Sequence, residues 1–80
     1  MNNRQFRTHI FELDISQEQF LHYYKGNVSQ VLVTSLDNIK IQFPAQFIQK
    51  FVTHNGIKGR FRIIFDENNK LVSLNRVNIE

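Results

Sequence analysis

Residues 57–65, IKGRFRIIF, alternate apolar and basic side chains through most of their length, and this pattern constrains the fold more than any other. A β-strand points successive side chains to opposite faces, so a period of two predicts a strand with one buried and one cationic face. The protein therefore needs a sheet that packs on one side and meets water on the other. The apolar set is Ile57, Phe61, Ile63 and Phe65, and the basic set, here named the basic stripe, is Lys58, Arg60 and Arg62.

Capping, turn and periodicity signals divide the rest of the chain into short elements. Ser16 and Gln19 form a capping box before a helix, and Gly26 is a typical helix stop. Pro44 suits a first helical turn, and the apolar residues after it have helical spacing. The predicted strands are 5–13, 28–36, 38–43, 57–65 and 70–77, and the predicted helices are 17–25 and 44–52.

The order β-α-β-β-α-β-β predicts a two-layer α+β fold. Short polar connections make the β-β pairs antiparallel hairpins, so we expect a mainly antiparallel sheet of about five strands with two short helices on one face. A small, partly open barrel is the alternative, because five short strands can curl. The 80 residues are expected to form one domain, with residues 1–4 disordered.

Composition narrows the function classes. Ten basic and seven acidic residues give a formal net charge of +3, which permits contact with phosphate without requiring it. The chain has no Cys and only three His, and it carries no known catalytic motif, so we expect no enzyme activity, no cofactor and no metal site. No apolar run has the length of a signal peptide or a membrane span. We therefore expect a cytoplasmic protein, monomeric or weakly dimeric, with no membrane partner.

The basic stripe allows two interpretations. Charged side chains keep a solvated strand face soluble and guard it against edge pairing. Arg side chains on a rigid strand also present planar forks to phosphate, and Lys40 joins this candidate polyanion site if its strand is adjacent. Phe61 and Phe65 have the opposite parity, which disfavours base stacking beside the cations.

Three smaller motifs are also candidates for a function. Gly56 and Gly59 form a G-x-x-G pattern, but a strand follows it, unlike the nucleic-acid loop of KH domains. His54 lies in the turn THNG and is expected to hydrogen-bond across its own loop. Tyr23 and Tyr24 close the first predicted helix and are candidate protein contacts, because Tyr is enriched at interface hot spots.

Two segments carry a resemblance to a known family. They are LDISQEQFLHYYKG and IQFPAQFIQKFVTHNGIKGRFRIIFDENNKLVSLNRV, with Phe43-Pro44, the run 51–54, the two glycines at 56 and 59, and Phe65-Asp66 as its landmarks. The chain resembles a small bacterial family known as domain of unknown function 2835. The resemblance implies a single-domain bacterial protein, and it brings no catalytic residue with it.

Two functional hypotheses follow. The favoured one is a protein-binding or adaptor module that uses a sheet edge or an aromatic-lined surface. The alternative is weak, non-specific binding of nucleic acid or another polyanion through the basic stripe. Clustering of Lys40 and Arg76 with the stripe would favour the polyanion, whereas an exposed apolar patch away from the stripe would favour the protein partner.

Overall fold

The computed structural model describes residues 5–24 and 30–77, with only the backbone described for Tyr23 and Tyr24. Its element order is the predicted one, and the α+β class with antiparallel strands and two short helices is confirmed. The elements are β1 (Arg7–Ile15), α1 (Gln17–Tyr24), β2 (Gln30–Thr34), β3 (Lys40–Pro44), α2 (Gln46–Gln49), β4 (Ile57–Phe65) and β5 (Leu71–Arg76).

The five strands are divided between two antiparallel sheets. One has three strands in the order β1-β4-β5, and the other is the β2-β3 hairpin. β4 pairs with β1 from end to end and with β5 on its other side, so it has no free edge for β3. The described strands do not close into a barrel.

The core lies between the two sheets. The Phe11 ring of β1 lies 5.6 Å from that of Phe43 in β3 and 5.7 Å from that of Phe61 in β4. The hairpin therefore covers the three-stranded sheet together with the helices, whereas the sequence pattern predicts a cover of helices alone. The buried apolar set is Phe11, Phe20, Val31, Val33, Ile41, Phe43, Ala45, Ile48, Ile57, Phe61, Ile63 and Leu74.

The predicted capping box at the start of α1 is confirmed. The backbone N–H of Gln19 donates to the Ser16 hydroxyl at 3.1 Å, and the Ser16 N–H donates to the Gln19 side-chain oxygen at 2.9 Å. These two bonds satisfy donors that a helix start leaves without partners. Phe20, one position beyond the box, is buried in the core.

The second helix is much shorter than the predicted 44–52. Pro44 belongs to β3, where it pairs with Gln30, so its assignment to a first helical turn is wrong. The N–H groups of Ile48, Phe51 and Val52 each donate to the carbonyl three residues back, which is the bonding of a tight 3₁₀-type turn. A segment with such bonds does not extend into a longer helix.

β5 contains a bulge that explains its imperfect alternation. Leu71 pairs with Phe65, and Ser73 pairs with Ile64, so Val72 is an extra residue on the β5 side. An extra residue bends the strand and changes where side chains point. Leu71 packs against the core, while Val72 is exposed.

The two hairpin turns, residues 35–39 and 66–70, share one hydrogen-bond pattern. The first residue of each turn donates its N–H to the carbonyl of the fifth and accepts that residue's N–H on its side-chain oxygen. The fourth residues, Asn38 and Asn69, have φ angles of 67° and 65°, which Asn tolerates better than most residues. The first turn is also tied to β1, since Leu36 donates its N–H to the Ile10 carbonyl at 2.7 Å.

Candidate functional site

The basic stripe lies on the side of the three-stranded sheet away from the core, here named the outer face. Lys58 and Arg62 are exposed there, and Arg60 is half-buried. The antiparallel register sets Glu12 of β1 opposite Arg60, and Asp14 opposite Lys58. The Nη2 atom of Arg60 lies 3.1 Å from Oε2 of Glu12.

The stripe is therefore partly neutralised within its own sheet. Directly opposed residues on neighbouring strands have Cβ atoms only ~4.5–5.5 Å apart, so each acidic group lowers the positive potential at the cation facing it. Arg62 alone in the stripe has uncharged neighbours on both sides, Ile10 and Asn75. The sequence held one signal of this, because Glu12 and Asp14 share the parity opposite to Phe11.

Lys40 does not join this outer-face stripe, and Arg76 meets it only at the Lys58 end, where Arg76, Lys58 and Arg60 line one cavity. Lys40 is in β3, which belongs to the other sheet, and it lines a cavity with Arg7 and Phe65. Arg76 is paired with Phe61, whose side chain lies on the core side.

Arg76 closes the end of the core. Its guanidinium carbon lies 4.9 Å from the centre of the Phe61 ring and 5.7 Å from that of Phe51. Its Nη1 donates to the Lys58 carbonyl at 2.8 Å. A Cβ at Gly59 would overlap this guanidinium, so the second glycine of the G-x-x-G pattern leaves room for it. The contacts of Arg76 are those of a packing cation, stacked on aromatic rings.

A cavity of 610 Å³ lies at the Lys58 end of the sheet. Its charged lining is of mixed sign, with two carboxylates against three cations. These groups are Glu12, Asp14, Lys58, Arg60 and Arg76. A wall of this kind lacks the single-sign potential that concentrates a polyanion.

A second cavity, lined by two apolar residues among polar and acidic ones, lies at the opposite end of the sheet. Phe6 and Val72 are 51% and 52% exposed, and both line a cavity of 360 Å³ with the acidic residues Asp66 and Glu67. Asp66 follows Lys58 by eight positions, so a strand rise of ~3.3 Å per residue separates the two ends by about 26 Å. This second site, here named the Phe6–Val72 surface, was not among the predicted sites, because Val72 is exposed only through the β5 bulge.

The loop before β4 is organised by Thr53, and the expected role of His54 is wrong. The Thr53 N–H donates to the Gly56 carbonyl at 2.8 Å, and its hydroxyl donates to the same oxygen at 3.1 Å. His54 is exposed and makes no hydrogen bond within the described part of the chain. The side chains of Tyr23 and Tyr24, the candidate protein contacts, lie outside the described set.

The local backbone explains why residue 56 is a glycine. Its φ is +94°, and a Cβ there would overlap the Ile15 carbonyl oxygen and lie 2.7 Å from the Ser16 Cα. The loop can therefore approach the start of α1 only with glycine at this position. Both glycines of the pattern are explained by packing, and neither requires a nucleic-acid backbone.

His9, Asp37 and Ser35 form a cluster that the sequence did not predict. The Ser35 hydroxyl donates to Asp37 Oδ1, and His9 Nδ1 lies 3.3 Å from Asp37 Oδ2. The hydroxyl bond is the largest cause of a lowered pKa for Asp37, and His9 lowers the pKa further. The Ser hydroxyl bonds the carboxylate and not the imidazole, so the order differs from that of a hydrolase triad. The cluster instead fixes the turn 35–39 against β1.

Residues 5–24 and 30–77 contain neither a metal-binding cluster nor a membrane-spanning helix. No group of three His, Asp or Glu side chains is placed to hold a metal ion. No helix in that part of the chain is long and apolar enough to span a membrane.

Comparison with known proteins places the chain in a family. Neither the curated proteins nor the solved structures contain a match. One family model, described as a protein of unknown function, matches residues 7–77, which include every strand and helix named above. The chain therefore belongs to the DUF2835 family.

Proposed function

We propose that this chain is a protein-binding module and that it contacts its partner through the Phe6–Val72 surface. The observation that carries the proposal is the half-exposure of two large apolar side chains on one cavity. Burying apolar surface contributes ~25 cal/mol per Å², so two such side chains supply an anchor for a partner. Adjacent exposed apolar side chains often mark an interaction site.

The cavity rim indicates the chemistry of the partner. Glu67 is exposed and makes no ion pair among the described residues. Asp66 Oδ1 accepts the N–H groups of Asn68 and Lys70 at 2.8 and 2.9 Å, so its carboxylate is held in place. An apolar anchor beside two carboxylates fits a partner segment that carries an apolar side chain next to Lys or Arg.

Backbone structure holds the Val72 and carboxylate parts of the surface, whereas Phe6 lies just before β1. Val72 sits in the β5 bulge, and the hydrogen-bonded turn 66–70 carries the carboxylates. A surface held in this way loses little conformational entropy when a partner binds. This supports a specific contact.

Weak polyanion binding is the second candidate. Its supporting observation is Arg62, which has no carboxylate opposite it on either neighbouring strand. Glu12 and Asp14 oppose the other two cations of the stripe, and this is the reason for ranking the polyanion second.

A capture experiment tests the proposal. The wild-type chain and a Phe6→Ser/Val72→Ser variant are each immobilised and exposed to a nuclease-treated lysate of the source cells. Leu32→Ser is the matched control, because Leu32 is 62% exposed on the other sheet. We expect a discrete protein to be retained by the wild type and by the control and lost with the double variant. Retention of the same protein by all three chains would contradict the proposal.

A further inference from the structure

A cavity of 200 Å³ lies where the two sheets diverge. Arg7 and His9 of β1 line it from the three-stranded sheet, and Lys40 lines it from the hairpin. Asn69, in the turn between β4 and β5, completes the polar part of the wall. Three separate parts of the fold thus bring polar side chains to one place.

Arg7 and Lys40 differ from Arg60 and Arg76, whose side chains have partners within the described chain. Arg60 is paired with Glu12, and Arg76 is stacked on aromatic rings. Neither Arg7 nor Lys40 makes an ion pair or hydrogen bond to any described residue through its side chain. Two unpaired cations that line one cavity create a local positive potential, which favours an anion.

The neighbouring carboxylate, Asp37, forms no ion pair with Arg7 or Lys40. Asp37 accepts the Ser35 hydroxyl on Oδ1, and its Oδ2 lies against His9. Asp37 weakens the positive potential in this region, but its oxygens are directed to groups other than Arg7 and Lys40.

The remaining wall of the cavity is apolar. Ile41 is buried, Phe65 is half-buried, and Ile39 is exposed beside them. A ligand with an anionic end and an apolar body matches this division into cationic and apolar parts. Ligand pockets commonly combine apolar walls with a few polar groups that set orientation.

We propose that this cavity binds a small oxyanion that carries an apolar group, with Arg7 and Lys40 contacting the oxygen atoms. The anion accepts hydrogen bonds from the guanidinium and the ammonium, and the apolar body contacts Ile41 and Phe65. A phosphate monoester and a carboxylate share this chemistry. The dianionic phosphate ester is expected to bind more tightly, because two cations face it. The proposal does not depend on the Phe6–Val72 surface.

Titrations followed by ¹⁵N–¹H NMR at low salt test it. The probes are phenyl phosphate, benzoate and inorganic phosphate, which separate the apolar group from the charge. We expect saturable shifts at the amides of residues 7, 9, 40 and 69, with phenyl phosphate tighter than either other probe. Equal affinity for phenyl phosphate and inorganic phosphate would overturn the apolar part of the proposal, and the absence of saturable shifts would overturn all of it.

Two matched single variants distinguish binding at this cavity from an effect of the protein's net charge. Lys40→Gln and Arg62→Gln each remove one positive charge, but only Lys40 lines the cavity. We expect Lys40→Gln to weaken phenyl phosphate binding by about tenfold and Arg62→Gln to leave it within twofold of wild type. Equal weakening by both variants would show that the probe responds to net charge alone. The NMR spectrum of each variant also reports whether its fold is retained.

Discussion

The Nη2 atom of Arg60 lies 3.1 Å from Oε2 of Glu12, across the antiparallel pair of β1 and β4. Asp14 occupies the equivalent position opposite Lys58. The outer face is therefore a surface of mixed charge, although the charged side chains that β4 itself contributes are all cationic. Removal of the two acidic groups should turn it into a cationic face.

We predict that Glu12→Gln/Asp14→Asn binds short single-stranded oligonucleotides more tightly than wild type at low salt. Glu18→Gln/Glu67→Gln is the matched control, since it changes the net charge equally at exposed positions elsewhere. Binding of the outer-face variant should weaken as salt rises, because cations that neutralise phosphates release counterions. Fluorescence anisotropy at two salt concentrations measures both effects. Equal gains in the two variants would show that only total charge matters.

We predict that Phe61→Ala lowers the free energy of unfolding by ~3–5 kcal/mol. Phe61 is fully buried, with its ring centre 5.7 Å from that of Phe11 and 5.2 Å from that of Phe51. Small domains have total stabilities of only ~5–15 kcal/mol, so the variant should be largely or partly unfolded at moderate denaturant. Leu32→Ala, at an exposed position, should change stability by about 0.5 kcal/mol or less. Similar denaturation midpoints for the two variants would contradict the core assignment.

We predict that Gly56→Ala destabilises the protein more than Gly59→Ala. At residue 56 the new Cβ meets the backbone of Ile15 and Ser16 at a φ of +94°, and strain at such angles costs ~1–3 kcal/mol before the overlap is added. At residue 59 the φ of +150° also strains any residue other than glycine, but the overlap is with the end of the Arg76 side chain, which can move aside, and not with backbone. Thermal unfolding of both variants measures the order. A larger loss of stability in Gly59→Ala would show that the contact at Gly59 is the tighter of the two.

We predict a pH-dependent contribution of Asp37 to stability. The Ser35 hydroxyl, and to a lesser extent the backbone and His9, lower the Asp37 pKa in the folded chain. The unfolded chain therefore takes up this proton at a higher pH than the folded chain, and protonation favours unfolding. The stabilisation is fully present above the unfolded pKa of Asp, which is about 4, and is lost as the pH falls through the lower pKa of the folded chain.

Denaturant titrations of wild type and Asp37→Asn from neutral to acidic pH measure this contribution. The difference in unfolding free energy should be constant near neutral pH and should shrink in acid. A difference that stays the same across the whole range would show that the Asp37 charge plays no part in it.

The parts of the fold predictable from sequence are those that depend on neighbouring residues. The Ser16–Gln19 capping box needs only a spacing of three, and the β4 face needs only alternation, so both were predicted correctly. Pro44 shows the limit, because it suits both a helix start and the end of a strand. Pro44 is part of a strand because it pairs with Gln30, which lies 14 positions away along the chain.

The candidate sites depend on contacts that are distant in sequence. Glu12 neutralises Arg60 only because β1 and β4 pair in one particular register. His9 meets Asp37 only because the first hairpin turn docks on β1. Val72 is exposed because of a bulge, and the imperfect alternation of β5 does not specify at which residue the register shifts. Periodicity along one strand cannot report any of these three relationships.

Site-specific photo-crosslinking tests the central claim, that the Phe6–Val72 surface binds a protein. A photoreactive phenylalanine analogue is placed at position 72 in one chain and at position 32 in another, and both chains are irradiated in the source cells. Both positions are exposed, but only position 72 borders the proposed contact. We predict one discrete protein adduct from position 72, lost when Phe6→Ser is added, and no such adduct from position 32. The absence of a discrete adduct at position 72, or the same adduct from both positions, would contradict the claim.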